Sequence, residues 1–247
     1  MSVADRLLEI AHSEERAVLF TVIDGPQPGA HLLVLLDRGG ETVGDAPAEL
    51  AELAPEIRRN GQHEHAGLRV FAEVYGPPPR LVIIGAVDTA DALCQAAKLL
   101  GWQTIVVDAR AKFATRERIP NADRLIVEWP EEALAEVQPD HATAVLVLTH
   151  DTKFDIPALK AALATDAFYI GALGSRRNQE RRREKLLAEG VDAVEFERIS
   201  GPCGLDVGAD SQPETALSIL AEIVALRAGR SGGRLRDSKQ RIHAEAV

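Results

Sequence analysis

The sequence predicts an α/β protein in which a smaller α+β domain precedes a doubly wound parallel sheet. After residue 80, short runs that are apolar at every position, such as LVIIG and TAVLVLTH, alternate with helical stretches. Such runs are typical of parallel strands that are buried on both faces. Before residue 76 the pattern is different, because strand-like and helical runs are mixed. The prolines of GPPPR separate the two regions, since they fit neither a helix nor a central strand. The predicted units are 1–76, 80–229 and a polar tail, 230–247.

In the first unit, a helix over about 3–12 leads into the strands AVLFTVI and HLLVLLD. The run APAELAELAPEIRRN is predicted to be helical, and GQHEHAG is predicted to be a loop before the strand LRVFAEVY. The two histidines of that loop, His63 and His65, have no third ligand nearby in the sequence, so no metal site is expected there.

In the second unit, five apolar strands are separated by helices such as DTADALCQAAKLLG, PEEALAEV and DIPALKAALAT. The last long helix begins at a capping box formed by Ser211 and Glu214. Its helical spacing predicts a set of core residues: Leu217, Leu220, Ile223 and Val224.

The 247 residues are 46% hydrophobic and carry a formal net charge of -10. This charge argues against a general affinity for nucleic acid or an anionic membrane. The chain has two cysteines, Cys94 and Cys203, too few for a disulfide framework or a cysteine-rich metal site. Cys94 is expected in the core, whereas Cys203, in a glycine loop, is expected to be exposed. Without a leader pattern or a long apolar run, the expected location is the cytoplasm.

The turn GAVDTA stands where a dinucleotide-binding fold carries its G-x-G-x-x-G fingerprint. Gly85 and Ala90 keep the first and third positions, and Asp108 ends the next strand at the distance expected for a ribose-binding acid. Val87 replaces the glycine that lets the backbone approach a pyrophosphate. The motif therefore predicts a Rossmann-like fold and leaves open whether NAD(P) is bound.

Charged residues follow two further strands at the edge where ligands are expected. Arg110, with Arg116 and Arg118 close by in the sequence, either neutralises a phosphate or forms surface ion pairs with Glu117 and Asp123. His150 and Asp151 form a candidate acid–base pair. The alternative is that Asp151 or Asp155 caps the following helix while His150 only lines the cleft.

The stretch YIGALGSRRNQERRREKLL places cations at the start of a helix, where the dipole is already positive. Gly171 and Gly174 permit a tight backbone, Ser175 is a favourable N-cap, and Arg176 and Arg177 crowd the first turn. An anion bound at this end would explain the arrangement.

The later arginines of the same helix, 181–183, interleave with glutamates and are interpreted as a solvated surface. The loop GPCGLDVGAD is predicted to form the opposite wall of the anion site through Gly204, Asp206 and Gly208. Two glycine-rich loops beside an arginine pair are typical of a site for a phosphorylated ligand.

The chain resembles the XdhC/CoxI family, the accessory proteins of xanthine dehydrogenase and carbon monoxide dehydrogenase maturation. The resemblance runs from about residue 80 to 228, in the blocks VVDARAKFATRERIPNADRLIV, VLTHDTKFDIPALKAAL, YIGALGSRRNQERRREKLLAEGV and ISGPCGLDVGADSQPETALSILAEIVA. It identifies a short form, because GETVGDAPAEL stands where longer members carry an SGGCVE-like cysteine motif. GAVDTA also replaces the GAGHVA of many members.

The resemblance implies a small N-terminal domain and a Rossmann-like C-terminal domain that binds the molybdenum cofactor, a pyranopterin that carries a phosphate. It implies a non-enzymatic chaperone that helps this cofactor acquire sulfur from a cysteine desulfurase and delivers it to a molybdenum hydroxylase subunit. It also implies a homodimer. Two alternatives stay open: an NAD(P)-binding oxidoreductase that uses Gly85 and Asp108, and a cofactor-free protein-binding module.

Overall fold

The structure is a computed structural model that describes residues 2–13, 15–149 and 151–239. Pro78–Gly232 forms one compact unit, and the chain on either side of it contributes to the other. Within the described ranges, no helix is both long enough and apolar enough to cross a lipid bilayer.

The smaller unit contains one α-helix and an antiparallel five-stranded sheet. Its elements are α1 (Val3–Ile10), β1 (Ala17–Asp24), β2 (His31–Leu35), β3 (Glu41–Gly44), β4 (Gly61–His65) and β5 (Leu68–Tyr75). The strands pair in the order β3-β2-β1-β5-β4. Alternate residues of β5, Leu68, Val70 and Ala72, are buried in one hydrophobic cluster, as expected for a sheet with one face on the core.

Two predictions for this unit are wrong. The expected helix in 46–60 is replaced by two 3-10 helices, Ala48–Glu52 and Ala54–Glu56, because Pro55 has no N–H group with which to continue a helical ladder. The expected loop GQHEHAG instead contains β4, which pairs with β5 at the edge of the sheet. An edge position tolerates the polar side chains of β4 because they can remain in contact with water.

The larger unit alternates strands with helices along the chain. The strands are β6 (Arg80–Ile84), β7 (Gln103–Val107), β8 (Arg124–Ile126), β9 (Thr143–Val147), β10 (Tyr169–Ala172) and β11 (Ile199–Ser200). The helices are α2 (Asp88–Leu99), α3 (Pro130–Val137), α4 (Thr152–Leu163), α5 (Arg176–Ala188), α6 (Ala193–Phe196) and α7 (Gln212–Arg227).

All neighbouring strands of this sheet are parallel, in the order β11-β10-β9-β6-β7-β8. The chain thus winds from β6 through β7 to β8 on one side and from β9 through β10 to β11 on the other. The change of direction lies between β6 and β9, where doubly wound folds bind ligands. The predicted α/β class with a doubly wound sheet is confirmed.

The core explains why these strands are apolar at every position. Leu81 and Ile83 of β6 belong to the cluster that α2 and α7 cover, whereas Val82 and Ile84 belong to the cluster that α3, α4 and α5 cover. Successive side chains of a strand point to opposite faces. Because helices cover both faces, no position of β6 in this run faces water.

The predicted core face of α7 is partly wrong. Leu217 and Val224 are 59% and 43% exposed. The predicted Leu220 and Ile223 are buried. The other buried residues of this face include Ala216 and Ile219, which the sequence analysis did not predict. Since α7 is apolar around most of its circumference, its periodicity alone does not define which face packs against α2.

We expect Leu93→Ala to lower the free energy of unfolding by about 2–5 kcal/mol, because it leaves a cavity in the core beneath α2. Leu99→Ala in the same helix is the matched control, since Leu93 is 0% and Leu99 is 87% exposed. The control should change the free energy of unfolding by less than about 0.5 kcal/mol. Urea denaturation measures both, and equal effects would contradict the assigned core face.

Candidate functional site

The ends of β6, β7 and β9 approach one another closely at the switch point. The Gly85 N–H donates to the Val107 carbonyl at 2.7 Å, and Gly85 has a φ of +113°. A Cβ on Gly85 would lie 2.9 Å from Cγ2 of Thr149. Glycine is therefore required here by both backbone conformation and space.

A cavity of about 510 Å³ opens at this edge of the sheet. This volume falls within the range of small-molecule sites, roughly 300–1,000 Å³. Two arginines, three polar side chains and two aliphatic side chains line it: Arg110, Arg181, Thr149, Asp151, Thr152, Val87 and Leu148. Arg181 was predicted to lie on a solvated surface. It is exposed, but it also lines the cavity.

Asp108, the residue expected to bind a ribose, is held by Arg110. The Arg110 guanidinium donates to both carboxylate oxygens, from Nε to Oδ1 at 2.9 Å and from Nη2 to Oδ2 at 2.8 Å. The backbone N–H groups of Arg110 and Ala86 each add a bond of 2.9 Å, to Oδ1 and Oδ2 respectively. A carboxylate has about four acceptor positions, so Asp108 has none left for ribose hydroxyls.

The remaining parts of the dinucleotide fingerprint fit a pyrophosphate equally poorly. Val87 is the N-cap residue of α2 and contributes no side-chain hydrogen bond. Asp88, the first helical residue, is exposed and lies 3.5 Å from Nη2 of Arg118. A carboxylate at this end of α2 would repel a phosphate.

Arg110 is fixed by stacking as well as by its ion pair. Its guanidinium carbon lies 4.4 Å from the ring centroid of Phe113 and 5.4 Å from that of Phe154. Phe154 in turn stacks on Trp129, with centroids 5.1 Å apart. Arg110 thus pairs with Asp108 and not with the predicted Glu117 or Asp123, and the same side chain also lines the cavity.

Asp151 and Asp155 have different roles at the start of α4. Asp151 is the N-cap, and its Oδ1 accepts from the Lys153 N–H at 3.0 Å. This is the capping role that the sequence offered as an alternative to acid–base chemistry. His150 lies outside the described residues, so the candidate pair of His150 and Asp151 stays a prediction.

Asp155 pairs with Arg182 in the interior, and the prediction that Arg182 lies on a solvated surface is wrong. Arg182 is 3% exposed. Its Nε and Nη2 donate to Oδ2 of Asp155 at 3.0 and 2.6 Å, while the Thr149 hydroxyl donates to Oδ1. The sequence held one signal for this: Arg182 precedes the buried Leu186 by four residues, which places both on one helix face.

Arg176 and Arg177 lie in the first turn of α5, as predicted, and both are exposed. Within the described part of the chain, neither forms an ion pair. Ser175 is the N-cap, and its hydroxyl accepts from the Asn178 N–H at 3.2 Å. Arg177 precedes the cavity-lining Arg181 by four residues and therefore shares its side of the helix.

The glycines predicted beside these arginines have packing roles. A Cβ on Gly171 would lie 2.6 Å from the Tyr169 ring and 2.7 Å from Leu146. The Gly204 N–H donates to Oε2 of Glu222 at 2.7 Å, and the Tyr169 hydroxyl donates to the same oxygen at 2.5 Å. These bonds hold the second glycine loop on α7.

Asp206 and Gly208 lie further along this loop and are exposed. They do not line the cavity, so the opposite wall proposed for them stays a prediction.

The expectation that Cys203 is exposed is wrong. Cys203 is buried, and burial, with a smaller effect of Glu222, raises the pKa of its thiol to about 12.

His63 and His65 lie on the edge strand β4. A ring nitrogen of His65, Nε2, lies 3.1 Å from the Glu49 carbonyl oxygen. No group of three or more histidine, cysteine, aspartate or glutamate side chains is arranged to hold a metal ion in the described ranges.

The chain is similar to known proteins over most of the larger unit. Residues 81–223 match the family model of the XdhC Rossmann domain. A probable xanthine dehydrogenase subunit of Bacillus subtilis (strain 168) is 33% identical over 158 residues, 64% of this chain and 46% of that protein. The molybdenum cofactor insertion chaperone PaoD of Escherichia coli (strain K12) is 31% identical over 183 residues, 74% of this chain and 50% of that protein.

A crystal structure of a xanthine dehydrogenase from Bacillus halodurans is similar in fold, with a TM-score of 0.61 and 25% identity. The similarity covers 92% of this chain and 65% of that one. The chain therefore spans half or less of the length of these two curated relatives and about two thirds of the solved one.

We expect NADH to give no saturable change in nicotinamide fluorescence when titrated against the wild-type protein. The same result is expected for Val87→Gly, because restoring the turn glycine leaves Asp108 bound to Arg110. Binding of NADH by the wild type at micromolar concentration would contradict the conclusion that Asp108 is unavailable.

The Asp108 carboxylate should also make stability depend on acid pH. Burial raises its pKa, but hydrogen bonds from the Arg110 side chain and from the Ala86 and Arg110 N–H groups outweigh this and lower the pKa. Ionised Asp108 therefore stabilises the fold above its unfolded pKa of about 3.9, and this stabilisation is lost as the pH falls through the folded pKa. We expect the difference in free energy of unfolding between the wild type and Asp108→Asn to narrow from about pH 5 to pH 2. Urea denaturation at several pH values measures it, and a constant difference would count against the role of Asp108.

Proposed function

The chain belongs to the XdhC family, and on this premise we propose that it is an accessory protein for the maturation of a molybdenum hydroxylase. The hydroxylase would be of the xanthine or carbon monoxide dehydrogenase type. The role is to bind the molybdenum cofactor and assist its sulfuration or insertion. The observation that carries the proposal is the arginine-lined cavity at the switch point, in a fold whose relatives include a molybdenum cofactor insertion chaperone.

The chemistry of the cavity fits a pterin that carries a phosphate. Arg110 and Arg181 are hydrogen-bond donors for acceptor atoms of the cofactor. Asp151 and the threonine hydroxyls at 149 and 152 offer acceptors for the N–H groups of a pterin ring. Val87 and Leu148 add apolar contact area. A few polar groups in a partly apolar cavity are typical of small-molecule sites.

We assign the cofactor phosphate to the beginning of α5, near Gly174, Ser175, Arg176 and Arg177. Two exposed guanidinium groups that form no ion pair within the described ranges are available there, and the helix dipole adds to their positive potential. The loop from Gly204 to Gly208 would form the opposite side. The bound cofactor would supply the molybdenum chemistry, while the residues of this chain would bind it and orient it.

The proposal includes partners. A molybdenum hydroxylase subunit would receive the cofactor, and a cysteine desulfurase would provide its sulfur. A second copy of this chain would complete a homodimer. These assignments depend on the family and on the names of the relatives.

We expect Arg176→Ala/Arg177→Ala to bind molybdenum cofactor at least about tenfold more weakly than the wild type, because two charge-assisted hydrogen bonds to phosphate are lost. The measurement is retention of the cofactor by purified protein under anaerobic conditions, with molybdenum counted per chain.

The matched control is Arg183→Ala, on the same helix. Arg183 is paired with Glu197 at 2.8 Å, so its removal should leave cofactor retention unchanged. Equal retention by the double variant and the wild type would refute the phosphate assignment. Failure of the wild type to retain any cofactor would refute the proposed function itself.

A further inference from the structure

Arg182 carries one guanidinium nitrogen without a hydrogen-bond partner in the protein interior. Its Nε and Nη2 bind Asp155, and Nη2 also lies 3.4 Å from the Thr149 carbonyl oxygen. Nη1 is buried and makes no hydrogen bond within the described part of the chain. Of the Asp155 oxygens, Oδ2 accepts from the other two nitrogens and Oδ1 accepts from the Thr149 hydroxyl.

An unpaired donor on a buried cation is unfavourable, because the cation has lost its contact with water and gained no acceptor in exchange. Native proteins keep few such groups, and each one calls for an explanation. Here the rest of the side chain is firmly held, since the ion pair with Asp155 fixes the guanidinium plane. The free nitrogen is therefore positioned in advance for an acceptor that the described part of the chain does not supply.

Nη1 points toward the turn that precedes α5. It lies 3.5 Å from the position that a Cβ on Gly174 would occupy. Gly174 has a φ of +139°, and the same Cβ position lies 3.3 Å from Nδ2 of Asn178. The next residue, Ser175, caps a helix of 13 residues, whose first N–H groups have no partner within the helix.

We propose that the β10–α5 turn and the Nη1 of Arg182 form a binding site for a tetrahedral oxyanion, the phosphate of a phosphate monoester. Backbone N–H groups of Arg176 and Arg177 would bind the oxygens from one side and Nη1 from the other. The exposed side chains of Arg176 and Arg177 would attract the anion, whereas the buried Arg182 would fix its position. The proposal rests on the proposed function only in naming the cofactor as the source of this phosphate.

Inorganic phosphate is a suitable probe, and isothermal titration calorimetry on the full chain measures its binding. We expect Arg182→Lys to weaken phosphate binding by about tenfold or more, because lysine keeps the charge opposite Asp155 but has a single nitrogen. The matched control, Arg183→Lys, changes an exposed neighbour paired with Glu197 and should bind phosphate like the wild type.

A second variant leaves the buried ion pair intact. Gly174→Ala places a methyl group between the turn and Nη1 and should weaken phosphate binding to a similar extent. Its control is Gly190→Ala, at the other end of α5, because Gly190 has a φ of +87° with open space around it. Gly174→Ala and Gly190→Ala both carry backbone strain, but only Gly174→Ala would obstruct the anion.

The proposal is overturned if the wild type shows no saturable binding of millimolar phosphate, or if both test variants bind phosphate as tightly as their controls. If Arg182→Lys does not fold, Gly174→Ala and its control decide the matter. Retention of molybdenum cofactor separates the two proposals. Cofactor retained equally by wild type and test variants refutes the Arg182 site alone, whereas Arg182-dependent phosphate binding without cofactor retention refutes the proposed function alone.

Discussion

The larger unit depends on the buried ion pair between Arg182 and Asp155, which joins α5 to α4 directly beneath the ends of the central strands. Replacing a buried pair by apolar residues is often neutral for stability, but removing one partner alone typically costs about 3–5 kcal/mol. The pair therefore contributes mainly by fixing the position of α5 relative to α4. It fixes the turn after β10 relative to the turn after β9, because Asp155 also accepts from the Thr149 hydroxyl. The turn after β9, which lines the cavity, is thereby held in one arrangement with the beginning of α5.

A second ion pair, between the partly exposed Arg110 and the buried Asp108, lies at the end of β7. It preserves the backbone geometry of a dinucleotide-binding fold, because Asp108 still accepts from the Ala86 N–H in the turn after β6. It also removes the carboxylate from contact with a ligand. The fold thus keeps a switch-point cavity, and two guanidinium groups, those of Arg110 and Arg181, line it.

Much of the larger unit could be predicted from the sequence, because its strands are apolar at every position and its helices begin at clear caps such as Ser175 and Ser211. The site was harder to predict. Arg181, Arg182 and Arg183 are chemically identical in the sequence, yet the helix turns about 100° per residue and directs one to the cavity, one to the core and one to the surface. The partner of Arg182, Asp155, lies 27 residues away, so local spacing could not show that the pair is buried. Leu217 and Val224 were misassigned because α7 is apolar on more than one side.

Burial of both cysteines has a consequence for sulfur chemistry. The chain has two cysteines, and burial raises the pKa of each thiol, Cys94 and Cys203, to about 12. A thiol becomes a nucleophile only as its thiolate. A thiol with a pKa of about 12 is almost entirely protonated at neutral pH. Neither cysteine of this chain is therefore suited to act as a nucleophile at neutral pH or to carry sulfur as a persulfide in the proposed role.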